Sequence, residues 1–191
     1  MAELAERRAT YDDLLAVPAN RVAELIHGVL HTHPRPAPVH ARAAGRLTMR
    51  IGRAFDEGDG GPGGWWILPE PELHLGEDVL VPDLAGWRVE RMPELPTTPY
   101  FELAPDWVCE VLSPSTEAVD RVDKLPVYAR AKVGHVWLVD PVLRTLEVLR
   151  REGAQWLLVA THKGQAKVRA EPFDAVELGL DALWGQPASS K

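Results

Sequence analysis

A chain of 191 residues fits one domain, or one domain with a short appendage, and a composition of 46% hydrophobic and 26% charged residues excludes disorder along its whole length. One cysteine, Cys109, excludes both an internal disulfide framework and a cysteine-rich zinc site. A formal net charge of −7 argues against a broad electropositive surface for non-specific nucleic-acid binding, but leaves room for a local basic patch acting with a metal ion.

Met1 to Arg8 is charged and has no apolar centre, so it does not read as a secretory signal. No apolar run approaches the ~20 residues that span a bilayer, so no membrane partner is expected and the expected location is cytoplasmic. Thr10 to Leu15 predicts a short helix, with Thr10 as N-cap and Asp12 and Asp13 in its first turn. Arg21 to Thr32 reads as two strands joined by a turn at His27-Gly28, and Pro34 to Pro38 as a stiff connector. Leu47, Ile51 and Phe55 recur at helical spacing within Val39 to Phe55, and the glycine-rich stretch Asp56 to Gly64 is a loop. Strands are expected at Trp65–Leu68, Glu72–Leu75, Asp83–Val89 and Trp107–Leu112, the proline-rich stretch between Met92 and Pro105 having no regular structure. Val119 to Ala131 reads as a helix interrupted by Pro126. His135–Val139, Leu146–Arg150 and Trp156–Ala160 follow as strands, the last two forming a hairpin, and Leu178–Trp184 closes with a helical turn. This order predicts an α/β fold, a mixed β-sheet flanked by helices, in one domain over 1–185 with a flexible tail at 186–191.

Trp107-Val108-Cys109-Glu110-Val111-Leu112 is apolar on both faces except at Glu110, the pattern of a strand covered on both sides. An unpaired ionised carboxylate there costs several kcal/mol, so Glu110 is protonated, pairs with a base or binds a cation. Asp83 follows Val79-Leu80-Val81-Pro82; alone it reads as a turn residue at the start of a strand. A Pro-Asp on one strand and a glutamate on a later hydrophobic strand can set two carboxylates side by side, and such a pair repels unless a proton or cation lies between them. Oxygen ligands alone favour Mg²⁺ or Mn²⁺ over zinc.

Pro82-Asp83, Glu110-Val111-Leu112-Ser113 and Lys124 resemble the active-site motifs of the Uma-two family of restriction endonucleases, within the PD-(D/E)XK nuclease superfamily. The resemblance runs from about Tyr11 to Trp184 and takes in Glu24-Leu25-Ile26-His27-Gly28, His40, Asp106, Ser113 to Thr116, Asp120, Tyr128 and Val136 to Pro141. It implies a restriction-endonuclease-like fold and Mg²⁺-dependent hydrolysis of phosphodiester bonds in DNA. In that reading Asp83 and Glu110 hold the metal, Glu24 is a third acid near the site, and Lys124 stabilises charge or orients water. Lys124 stands in for a lysine usually two residues after the glutamate, where this chain has Leu112. His40 and Ser113 become substrate-contacting or supporting residues, DNA the partner and a homodimer the expected assembly. The chain departs from the family pattern at Pro126, at Lys132 in place of a usual glycine, and at His135-Val136 in place of Glu-Tyr.

Several residues also have simple structural readings. Glu24 reads as a strand acid open to solvent, Asp120 as a helix cap, and the hydroxyls of Ser113, Ser115 and Thr116 as caps for the helix that follows. Cys109 is expected to point away from Glu110 into packing, and Asp140-Pro141 to make a turn. One indole of Trp65-Trp66 is expected to face outward as a dimer contact. Two other functions compete with the nuclease: an inactive nuclease-fold protein that binds nucleic acid or a partner, and a two-carboxylate hydrolase such as a glycosidase.

Overall fold

The computed structural model describes residues 7–184. Helix α1 (Tyr11–Leu15) opens on a capping box: Thr10 Oγ1 accepts from the Asp13 N–H, and Asp13 accepts from the Thr10 N–H at 2.7 Å. Strands β1 (Arg21–Ile26) and β2 (Val29–Pro34) form the expected hairpin, and its turn puts His27 at φ 54° and Gly28 at φ 78°, a left-handed pair matching a two-residue turn. Helix α2 (Pro38–Ile51) starts with proline in its first turn and runs on into one π-helical turn, Gly52–Asp56.

Four strands follow: β3 (Trp65–Pro69), β4 (Leu73–Leu75), β5 (Asp78–Leu80) and β6 (Leu84–Arg88). Asp83 lies one residue before β6 rather than on it. Beyond the proline-rich stretch come β7 (Trp107–Val111), a π-helical turn at Val119–Lys124, and helix α3 (Leu125–Arg130). Pro126 falls in the first turn of α3, where its missing N–H costs nothing. The interruption expected at Pro126 is therefore a change of helical type ahead of the proline. Strands β8 (His135–Asp140), β9 (Thr145–Glu152) and β10 (Gln155–Lys163) complete the main sheet, with a short pair β11 (Lys167–Val168) and β12 (Leu178–Gly179) before a closing 3₁₀ turn, Leu180–Leu183.

The six-stranded sheet has the order β10-β9-β8-β7-β6-β3 and is mixed: β7 and β8 run parallel and every other neighbour is antiparallel. The parallel pair requires a crossover, supplied by the π-helical turn and α3. A second, four-stranded antiparallel sheet, β2-β1-β5-β4, lies beside it. The segment around β5 was not expected as a strand; it joins the two hairpins through the pairing Leu25 with Val79.

Strand β7 has one apolar cluster on each face. Leu47 and Ile51 of α2 pack with Trp107, Cys109, Val111, Trp137 and Phe173; Ile26, Leu80, Val127 and Tyr128 pack with Val108 and Leu112. Burying one such side chain stabilises by about 1.5–3 kcal/mol. Cys109 is buried and faces away from Glu110, as its alternation predicts. Gly86 suits this close packing, because a Cβ at this position would meet Ile67 at 3.0 Å and the Trp107 ring at 3.2 Å, and those side chains would have to shift. Both indoles of the Trp65-Trp66 pair are engaged: Trp65 is in the core, and Trp66 is half-buried and donates to the Met92 carbonyl at 2.9 Å. Trp66 is thus the indole that leaves the Trp65 side of β3, and its bond to Met92 covers it only in part.

Candidate active site

The register of β6 against β7 sets Leu84 opposite Cys109 and Ala85 opposite Val108. One further step brings Asp83 opposite Glu110, and opposite residues of an antiparallel pair share a face. Asp83 and Glu110 accordingly line the same cleft, of about 360 Å³. Asp83 Oδ2 accepts the Val111 N–H at 2.7 Å, and Asp83 Oδ1 lies 3.3 Å from Nε2 of His40, from the first turn of α2.

Lys124 reaches this cleft from the last residue of the π-helical turn. Its side chain is only 4% exposed, and its ammonium contacts Glu24 at 3.0 Å, Asp120 at 3.0 Å and Glu110 at 3.4 Å. Glu24 comes from β1 and is fully buried, contrary to the solvent-facing acid expected from its strand; its Oε1 also accepts the Val81 N–H at 2.8 Å. Asp120 is likewise not a helix cap: it sits one turn before Lys124 and turns inward to it. Tyr128, one turn after Lys124, donates its hydroxyl to Glu110 Oε1 at 2.5 Å. Asp120, Lys124 and Tyr128 thus form one inward stripe, and their four-residue spacing is the signal that could have assigned all three to a single site. Ser113 lines the cleft, with its hydroxyl 3.0 Å from those of Ser115 and Thr116. His33 and Arg35, from the end of β2 and the connector, complete the wall; neither had been singled out.

The charges are strongly coupled. Burial, together with the carboxylates of Asp120, Asp83 and Glu24, pushes Glu110 well above the usual carboxylate range, with Lys124 pulling against them. Burial also raises Asp120, again opposed by Lys124. Burial works against the Lys124 ammonium, but Glu110, Glu24 and Asp120 outweigh it and hold its proton well above the ordinary range. Burial then raises the Tyr128 phenol, as does the neighbouring Glu110, and this keeps it a donor. For His40, burial is outweighed by the Asp83 hydrogen bond and charge, so its pKa rises, whereas burial lowers that of His33. Four carboxylates thus converge on one lysine and one histidine, and two buried atoms, Glu24 Oε2 and His40 Nδ1, have no partner among the described residues.

A family model described as "Putative restriction endonuclease", Uma2, matches residues 8–182. The chain belongs to the Uma2 family. A crystal structure of a "putative nuclease belonging to DUF820" from Anabaena variabilis ATCC 29413 shares the fold, with a TM-score of 0.73 at 22% identity, covering 92% of this chain and 97% of that one. No curated protein matches. In this Uma2 chain Lys132 takes φ 67° at the end of α3, where the Val133 N–H bonds back to the Tyr128 carbonyl and the Lys132 N–H to that of Ala129. That closure demands a left-handed residue, which explains why glycine suits the position and shows that lysine preserves the geometry. Among the described residues, no helix is long and apolar enough to cross a membrane.

Proposed function

We propose that this protein is a Mg²⁺-dependent endonuclease acting on DNA, with Asp83 and Glu110 as its metal ligands. The observation that carries this reading is the placement of Asp83 opposite Glu110 in one cleft, beside a buried lysine that three carboxylates already share. The donor set fits a hard cation. The available ligands are carboxylate oxygens, the cluster has an excess of negative charge, and Glu24 Oε2 is buried without a partner. Among the described residues, no three His, Cys, Asp or Glu side chains are arranged around a common metal position. Two carboxylates with water and substrate phosphate completing the shell is the ordinary arrangement for Mg²⁺.

When bound, Mg²⁺ supplies positive charge to the phosphate oxygens and makes water more acidic. The chain's own residues do the rest. Tyr128 fixes one oxygen of Glu110, and the Val111 N–H with His40 fixes the Asp83 carboxylate, so neither ligand has to be ordered during the reaction. Lys124 keeps its proton and offsets negative charge building up at the phosphate. Ser113, Arg35 and His33 lie where they can contact the substrate backbone at the cleft mouth.

The same buried network supports a second reading. All three donors of the Lys124 ammonium are engaged by protein carboxylates, as in a purely structural ion cluster, and this favours a non-catalytic nuclease fold that binds nucleic acid or a partner. One experiment separates the two. With Mg²⁺ or Mn²⁺ the protein should nick supercoiled plasmid, EDTA should abolish nicking, and Asp83→Ala should lower the rate by about 10²-fold or more. Nicking at the wild-type rate by Asp83→Ala would end the nuclease reading.

A further inference from the structure

Between Pro38 and Phe55 the chain carries Arg42, Arg46, Arg50 and Arg53 and no Asp or Glu, although acids outnumber bases 28 to 21 overall. The buried stripe of α2 is His40, Ala43, Leu47 and Ile51. At 3.6 residues per turn, the four arginines fall together on an adjoining flank. Arg42 bonds the Trp184 carbonyl, and Arg53 pairs with Asp59 at 2.7 Å. Arg46 and Arg50, half-buried and exposed respectively, make no hydrogen bond or ion pair among the described residues. Like charges four residues apart repel, and neither guanidinium has a carboxylate partner among the described residues, although the last turn of α2 favours the Arg50 cation.

The flank borders a groove of about 590 Å³ between α2 and the 170–179 segment. Two acids line it, and both are taken: Asp59 by Arg53, and Glu177 by Lys167 at 3.3 Å. The groove therefore offers Arg46 and Arg50 as its unneutralised charge. The first turn of the same helix supplies His40 to the acidic cleft, and Arg50 lies ten residues further on, about 15 Å along the axis.

We propose that Arg46 and Arg50 form a track for the phosphate backbone of a DNA strand that enters the cleft. The direction of the track rests on the nuclease reading; the charge argument does not. Arginine suits the task because its planar guanidinium grips phosphate oxygens in pairs, and one helical turn, about 6 Å, separates the two. A local basic flank also accounts for how a chain of net charge −7 could hold a polyanion: the attraction is confined to the flank of one helix whose first turn borders the cleft.

The test measures binding separately from cleavage, by fluorescence anisotropy of a labelled DNA strand and duplex in Ca²⁺. Arg46→Gln/Arg50→Gln should weaken binding about tenfold or more and reduce the log–log salt slope by about 2, one unit per lost phosphate contact. Arg46→Lys/Arg50→Lys, which keeps the charge, should retain the salt slope, and Arg144→Gln/Lys163→Gln, the same charge change on the β9–β10 hairpin, should bind as wild type. Unchanged binding by the glutamine pair overturns the proposal, as does absence of DNA binding by the wild type. Equal, arginine-dependent binding of a polyglutamate of matched charge also overturns it, assigning the flank to an acidic polypeptide. If the wild type binds through these arginines but never cleaves with Mg²⁺ or Mn²⁺, the track stands and the nuclease reading falls. If it cleaves and the glutamine pair binds equally well, the track alone falls.

Discussion

The two faces of strand β7 reach low exposure by opposite means. Trp107, Cys109 and Val111 turn to an aromatic layer in which Trp107, Trp137, Trp65 and Phe173 meet at ring separations of 4.9 to 5.7 Å. Val108, Glu110 and Leu112 turn the other way, and Glu110 lies among three further acids, a lysine and a tyrosine. Shape satisfies most of the first face, where Trp137 donates to the Glu171 carbonyl and Trp107 Nε1 has no partner among the described residues. The second can be satisfied only by matching charges, and its books do not close: acids outnumber cations, and Glu24 Oε2 and His40 Nδ1 have no partner among the described residues. Packing is completed by the chain itself, whereas this charge cluster is the feature on which the metal proposal rests.

The contrast is sharpest in two substitutions of similar cost. Lys124→Ala removes the ammonium shared by three buried carboxylates and should destabilise by about 3–5 kcal/mol in a denaturant titration. Trp107→Ala on the opposite face should cost a similar 3–5 kcal/mol through cavity formation. Mn²⁺ should recover part of the loss in Lys124→Ala and none of it in Trp107→Ala; equal recovery in both would erase the distinction between the faces. Tyr128→Phe is milder: it leaves Glu110 Oε1 without its donor at a cost of about 1–3 kcal/mol, and should depress metal-dependent nicking more than stability. Lys132→Gly, outside both faces, should stabilise by roughly 0.5–1 kcal/mol by relieving the left-handed backbone at φ 67°, seen as a higher melting temperature.

The smallest effect belongs to an exposed charge network. Asp13 is held at about 2, below its ordinary 3.8, by the Thr10 backbone N–H together with Arg7 and the Thr10 hydroxyl. A depressed carboxylate pKa contributes stability above the unfolded value and loses it as pH falls through the folded one. Protection factors of the α1 amides, taken against the intrinsic exchange rate at each pH, should therefore fall as pH drops from about 3.8 to about 2 while β7 amides stay protected.

What could be read from residue order was local. The Thr10 cap, the His27-Gly28 turn, the oily β7 with its lone glutamate and the Asp140 turn, whose Oδ1 accepts from both the Val142 and Leu143 N–H at 2.8 Å, all depend on neighbours within a few positions. The second sheet was hidden because β5 has three residues and is joined to β1 by the single pairing of Leu25 with Val79, 54 positions apart. Residue order alone made Glu24 a solvent-facing acid, and only the family resemblance set it near the site, because Lys124, the reason it can be buried, lies 100 positions away. Asp120 looked like a cap because an acid near the start of a helix often is one, whereas the chain winds through a π-helical turn and keeps Asp120, Lys124 and Tyr128 in line.

Those turns between Val119 and Lys124 have an evolutionary corollary. A π-helical turn holds one residue more than the α-helical turn it replaces. Excising one codon there would let the coil regularise, rotate the ammonium about 100° off its carboxylates and leave three buried acids without their shared cation. In a lineage built on this frame, the buried ion cluster and the architecture around it would thus be disturbed together by the smallest in-frame deletion a genome can make.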